Sequence, residues 1–229
     1  RKDLKLIDIN KIKNININNN SINLIDVELK THTNQKLQFK ITQKYIDKTF
    51  KIAFKLIKSG FTKKFINGPI IKKKFLNKKF NGITEYISEN FKKKKIGMLI
   101  YNNKLSVCPL TTHLPIKLVA KKITKKLIEE KIEIKNSFFK RNFKIKPKIA
   151  VTGLNPHCET ILKFSEDEKI IKKAIKNKIK DKINVKGPYP ADTIFLKKNR
   201  AKFDIILGMY HDQVLGPFKT LFEYDAINI

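Results

Sequence analysis

Three of the four histidines in this 229-residue chain stand just after apolar runs. His113 follows residues 105–110, His157 follows Ile149-Ala150-Val151, and His211 follows Phe203-Asp-Ile-Ile-Leu-Gly-Met209. Each has Pro, Thr, Asn or Asp close by. Such runs read as strands buried on both faces, ending in polar, proton-carrying groups at the carboxyl edge of an open α/β sheet. Three imidazoles at one edge would supply the protein ligands of a catalytic divalent metal and leave a position for substrate. Their wide spacing fits three separate loop histidines equally, so both readings stay open. His32, in the polar stretch Thr31-His-Thr-Asn-Gln-Lys36, reads as ordinary surface.

The elements that must position these side chains alternate. Residues 1–40 hold one or two weak strands, with Asn18-Asn19-Asn20 as a turn. Ile46, Phe50, Ala53, Phe54 and Ile57 repeat at helical spacing up to a Ser59-Gly60 cap. Phe65-Ile66 reads as a short strand. A helix is expected after residues 80–85, and the lysine run 92–95 reads as a solvated loop. Residues 96–101 and 105–110 read as a hairpin through Asn102-Asn103. Pro115 opens a helix whose stripe is Ile116, Val119, Ala120, Ile123, Leu127 and Ile128, and a second helix spans about 132–143. Ser165 and Glu168 form a capping box. Gly187-Pro188 and Gly216-Pro217 read as turns. Strands alternating with helices define an α/β sheet that is at least partly parallel.

The net charge of +31 raises the question of nucleic acid, and the residue types weigh against it. Nearly all the charge is Lys. Arg occurs only at Arg1, Arg141 and Arg200, with no clustered forks for phosphates or base edges. Lys, Ile, Asn and Phe share adenine- and thymine-rich codons, so biased composition explains the charge and no nucleic-acid partner is expected. The positive field would still attract a phosphorylated substrate. No apolar run approaches the roughly 18 residues of a membrane span, and the amino terminus lacks a signal-peptide core. Cys108 and Cys158 read as reduced thiols of a cytoplasmic protein. The first residue is not Met, and both ends read as cut from something longer. No GxGxxG, GxxxxGK[ST] or GxSxG occurs, which removes the dinucleotide, phosphate-loop and serine-nucleophile fingerprints.

Four stretches, Thr111-Thr-His-Leu-Pro115, Gly153-Leu-Asn-Pro-His157, Gly187-Pro-Tyr-Pro-Ala-Asp-Thr193 and Met209-Tyr-His-Asp-Gln213, resemble the 4-hydroxythreonine-4-phosphate dehydrogenases of pyridoxal phosphate biosynthesis. The likeness runs from about Phe65 to Ile229 and is faint before that. It implies a three-layer α/β/α, two-domain fold like that of isocitrate and isopropylmalate dehydrogenases. Residues 1–79 would form part of the first domain, and residues 80–229 the second, with the metal site and dimer interface. By the same resemblance His113, His157 and His211 bind a divalent metal (Zn, Mg or Co), and Thr84, Lys219 and Asn228 bind substrate. Asp212 would orient a ligand imidazole. NAD would lie in an interdomain cleft without a Rossmann fingerprint. A cytoplasmic homodimer acting on a small phosphorylated amino acid is implied.

The chain also departs from that family. Ile83 replaces a substrate-binding His, Cys158-Glu159-Thr160-Ile161 replaces a glycine-rich loop, and Val214 replaces a Gly. A Gly-Asp-Pro-type amino-terminal stretch and an Arg-bearing carboxyl-terminal one are absent. These differences leave room for a dehydrogenase of another phosphorylated hydroxy acid, or for a weakened member of the family.

Overall fold

The computed structural model of the chain describes residues 3–10, 17–18, 20–71, 80, 82–92, 96–159 and 164–229. Two compact units result, residues 1–92 and 93–229.

In the first unit, β1 (Leu4–Leu6) and β2 (Ile22–Leu24) pair in parallel. Helix α1 (Gln35–Lys58) begins well before Thr42, where its apolar pattern becomes clear. The Asn34 side chain caps it, accepting from the Lys36 and Leu37 N–H groups. It ends at Ser59, followed by Gly60 at φ 80°, as the Ser59-Gly60 signal predicts. The strand expected at Phe65-Ile66 does not form. Phe65 instead sets its ring edge-on against Phe50 and Phe54, while Ile66 is 95% exposed. Helix α2 (Ile83–Asn90) packs here too, with Tyr86 at 5.4 Å from the Phe50 ring and 5.8 Å from that of Phe54. A division after residue 79 therefore cuts through this aromatic cluster. Asn19 and residues 93–95, which complete the expected Asn turn and lysine loop, lie outside the described residues.

The second unit is built on a six-stranded sheet of order β6-β5-β7-β4-β3-β8. Its strands are β3 (Ile100–Tyr101), β4 (Ser106–Thr111), β5 (Ile149–Thr152), β6 (Val185–Tyr189), β7 (Ile205–Tyr210) and β8 (Ile227–Asn228). The first four in spatial order are parallel, and β3 lies antiparallel between β4 and β8. Alternate residues of the buried strands serve opposite layers. Ile205, Leu207 and Met209 pack with α3 (Ile116–Lys122), α4 (Lys125–Asn142) and α5 (Lys172–Lys180), through Val119, Ile128, Ile132 and Ile175. Ile206, Val107 and Ala150 pack with α6 (Ala191–Ile194) and α8 (His211–Phe222), through Ile194, Val214, Leu215 and Phe218. Each such side chain contributes about 1.5–3 kcal/mol on burial. This is the expected α/β/α layering.

Four details differ from the sequence pattern. The helix break after Pro115 falls at Ile123-Thr124, because the Thr124 hydroxyl accepts from Leu127 N–H and starts α4. Gly187-Pro188 lies inside β6, and Gly216-Pro217 inside α8, preceded by a short α7 (Lys197–Arg200) and β7. Half of the capping box forms, Glu168 N–H donating to Ser165 Oγ at 3.4 Å, and α5 is entered through a π turn, Asp167–Ile171. Finally, β3 is shorter than residues 96–101, since the carbonyls of Ile96 and Gly97 take the ammonium groups of Lys131 and Lys135 instead of strand partners.

Lys135 is only 3% exposed, and its Nζ donates to Gly97 O at 2.7 Å. Burial pushes its pKa down from 10.5, and the adjacent Cys108 sulfur pulls partly the other way. Below the lowered native value the cost of the buried charge is fully present. Above it the native ammonium has shed a proton that the unfolded chain keeps until 10.5, so stability climbs with pH. Cys108, pushed above 9.0 by burial, acts oppositely, but only once an unfolded thiol ionises near that pH. As pH rises toward 10.5, melting temperature should therefore fall less, or rise more, in the wild type than in Lys135→Met, both chains keeping Cys108. Parallel curves would contradict the assignment.

Candidate metal and substrate site

Strands β4 and β7 are neighbours in register, Thr111 opposite Tyr210, and both run out at the same edge. The Thr111 hydroxyl donates to Met209 O at 2.8 Å and ties the two ends together. His113 leaves β4 by way of Thr112, and His211 is the first residue of α8. The two imidazoles line one cavity of about 210 Å³, with Thr111, Tyr210 and Asp212 on its wall.

His211 is oriented from within its own turn. Its Nδ1 lies 2.6 Å from Asp212 Oδ1. A carboxylate only accepts, so the proton sits on Nδ1 and the lone pair of Nε2 is the atom offered to a cation or substrate. Asp212 can do this while 88% of its side chain remains exposed.

His157 follows β5, the strand on the other side of β7. The turn there carries two consecutive non-glycine residues in the left-handed region, His157 at φ 55° and Cys158 at φ 61°. Such backbone persists when its surroundings over-determine it. Here the fully buried Asp167 accepts from Leu154 N–H (2.7 Å), Asn155 N–H (3.2 Å) and Asn155 Nδ2 (2.8 Å). The edge therefore carries all three histidines on adjacent parallel strands, but His157 is not in the wall of the His113–His211 cavity. Among the described residues no three His, Cys, Asp or Glu side chains gather closely enough to hold an ion. Within one chain the donor set is two imidazoles, one of them held in a ligating tautomer, in a cavity with room beside them. That fits a cation site open to further donors.

Of the remaining expected residues, Lys219 and Asn228 stand apart from this cavity. Lys219 is eight residues into α8, about 12 Å along the helix from His211, with its Nζ 5.9 Å from the Tyr224 ring centroid. Asn228 pairs with Ile100, which faces Val107, so it lies four strand residues or about 13 Å below Thr111. Thr84 belongs to α2 in the other unit, next to Ile83. Of the altered loop, Cys158 and Glu159 are described and residues 160–163 are not. Cys108 and Cys158 are free buried thiols. The residues that the motifs undervalued are Gln213 and Asp167, which grip the histidine-bearing turns. Asp167 sits between the two capping-box positions that drew attention first, and only its burial reveals it. A larger cavity of about 880 Å³ lies in the first unit, lined by apolar groups such as Phe39, Ile46 and Phe50, and by His32.

An α/β/α sheet with imidazoles and carboxylates on its carboxyl edge is the scaffold of a cleft enzyme. The whole chain, residues 1–229, matches the model for the Pyridoxal phosphate biosynthetic protein PdxA family, and the chain belongs to that family. The likeness is thus not confined to the part after Phe65. A 4-hydroxythreonine-4-phosphate dehydrogenase of Sulfurihydrogenibium sp. is 36% identical over 239 residues, spanning all of this chain and 72% of the relative. A D-threonate 4-phosphate dehydrogenase of Salmonella typhimurium is 34% identical over 151 residues, 66% of this chain and 46% of that protein. The crystal structure of a 4-hydroxythreonine-4-phosphate dehydrogenase from Klebsiella pneumoniae superposes with a TM-score of 0.75 at 26% identity, over 100% of this chain and 71% of that one. Several other curated relatives are matched over about half of their own length.

Proposed function

We propose that the chain catalyses the NAD-dependent oxidation of the secondary alcohol of 4-phosphooxy-L-threonine, with loss of carbon dioxide from the resulting β-keto acid to give 3-amino-2-oxopropyl phosphate. The observation that carries this reading is the shared His113–His211 cavity at the sheet edge of a chain in this family. His113 and His211 would hold a divalent cation, with His157, outside their cavity within one chain, as the third ligand of the proposal, and imidazole donors favour zinc or cobalt over magnesium. When bound, that cation supplies a Lewis acid for the alcohol and ketone oxygens. Asp212 keeps the His211 proton on Nδ1, so that Nε2 remains the donor atom. The family likeness also assigns Lys219 to the substrate phosphate or carboxylate and Thr84 and Asn228 to further polar contacts, three residues that are not in the wall of this cavity within one chain. When bound, NAD would supply the hydride acceptor. No glycine cradle marks its place, so no residue is assigned to it.

A cytoplasmic homodimer is part of the same proposal. The cavity, at about 210 Å³, is smaller than the roughly 300–1,000 Å³ of a complete small-molecule site. Leu114 and Ile116 are 36% and 68% exposed on its wall, an apolar margin that a second copy would cover. Among the described residues no helix is long and apolar enough to cross a membrane.

A second reading has its own support. D-threonate 4-phosphate has a hydroxyl where the threonine has an amine, a Salmonella relative is named for it, and Ile83 removes a polar contact. NADH formation on both substrates decides between them. The expected result is a kcat/KM about 10-fold or more higher on 4-phosphooxy-L-threonine, the discrimination a single polar contact can provide. The reverse ranking assigns the chain to the second substrate.

A further inference from the structure

The β5–β7 ladder stops at Val151 opposite Leu207, just below the edge that carries the histidines. Beyond that point a side chain takes its place. Gln213, the third residue of α8 and only 8% exposed, spans the gap. Its Oε1 accepts from Met209 N–H at 2.7 Å and from the Thr152 hydroxyl at 2.8 Å, and its Nε2 donates to Gly153 O at 2.7 Å. Met209 is two residues before His211, and Gly153 is four residues before His157. One amide thus joins the backbone leading into each of the two histidines. Asp167 holds the same β5 turn from the π turn that leads into α5, at Leu154 and Asn155. The turn is gripped against the helix layer by one residue and against His211 by the other.

We infer that Gln213 is a positioning residue, whose amide ties the backbone entering His211 to the β5 turn and so fixes how His211 is presented to the cation cavity it shares with His113. This rests on the cation reading above. Gln213 touches neither substrate nor cation. It acts because a buried amide with three bonds fixes both turns, whereas an apolar side chain of similar size would leave Met209 N–H and Gly153 O without their partner. Residues supporting metal ligands in this way typically alter affinity about 10–100-fold.

The test is Co²⁺ titration of the full chain after chelator stripping, read by calorimetry and by the visible cobalt absorption bands, with folding followed by circular dichroism. The wild type is expected to bind Co²⁺ and His211→Ala to lose it. Gln213→Leu should fold and bind about 10–100-fold more weakly, with shifted cobalt bands. Thr152→Val, which removes one bond but keeps the Met209–Gln213–Gly153 bridge, should bind like the wild type. Should Gln213→Leu fail to fold, Gln213→Glu carries the test. It keeps both accepting contacts and sets an anionic oxygen against Gly153 O, so it too should bind more weakly with altered bands. A folded Gln213 variant that melts earlier yet keeps wild-type affinity and spectrum overturns the inference and leaves the cation reading standing. A folded wild type that takes up no Co²⁺ overturns both.

Discussion

Truncating His211 to alanine is expected to lower kcat/KM by about 10³-fold, with divalent-cation binding lost and melting temperature nearly unchanged. The first half follows from chemistry. Lewis-acid stabilisation of developing charge contributes several kcal/mol to the transition state, and each 1.36 kcal/mol is tenfold in rate. The second half follows from position. The His211 side chain is 38% exposed and hydrogen-bonds the exposed Asp212. Substitutions at such sites usually move stability by no more than about 0.5 kcal/mol. His113→Ala should behave alike, because it removes the other imidazole of the same cavity. Steady-state NADH kinetics beside calorimetric cation titration checks both halves, and turnover that survives either substitution would remove the metal role.

The largest stability effect is expected at Gly187. Its φ of 141° lies where side chains are strained, and an added Cβ would stand 2.4 Å from the backbone oxygen of Val151. That oxygen belongs to β5 and cannot yield like the tip of a side chain. Gly187→Ala must therefore push β6 away from β5, at a place where the ladder already shifts register between Ala150 and Thr152. A cost of about 3 kcal/mol is expected, combining a disfavoured backbone with overpacking. For a chain of this size that is roughly 6–12 °C in melting temperature. Differential scanning calorimetry reads it directly, and a shift under about 2 °C would mean that β6 is held less tightly than described.

The strands that carry the histidines were legible because a strand buried on both faces is written as an uninterrupted apolar run, as in Ile205–Tyr210 and Ile149–Thr152. The family was legible from four short stretches. What local pattern concealed was where tertiary context overrules punctuation. Pro188 sits in β6 because β6 is an edge strand, where a missing N–H costs no ladder bond. Pro217 sits within α8, where the buried neighbours Val214, Leu215 and Phe218 outweigh its propensity. The stripe from Ile116 to Ile128 continues at helical spacing across Thr124, so periodicity hid a break that a hydroxyl cap makes. The site was half legible. Residue types announced the chemistry, but strand order decides that His113 and His211 share a cavity, and strand order is not written in any one stretch.

Gly208 and Val214 constrain one another across the β7–α8 contact. A Cβ on residue 208 would come within 2.3 Å of Val214 Cγ1, and Val214 is fully buried. A larger residue is thus admissible at 208 only after 214 has shrunk, while shrinking 214 first opens a void beneath α8 that costs about 1–3 kcal/mol. Neither step is free by itself. Any exchange at these two positions is therefore ordered, with residue 214 changing before residue 208.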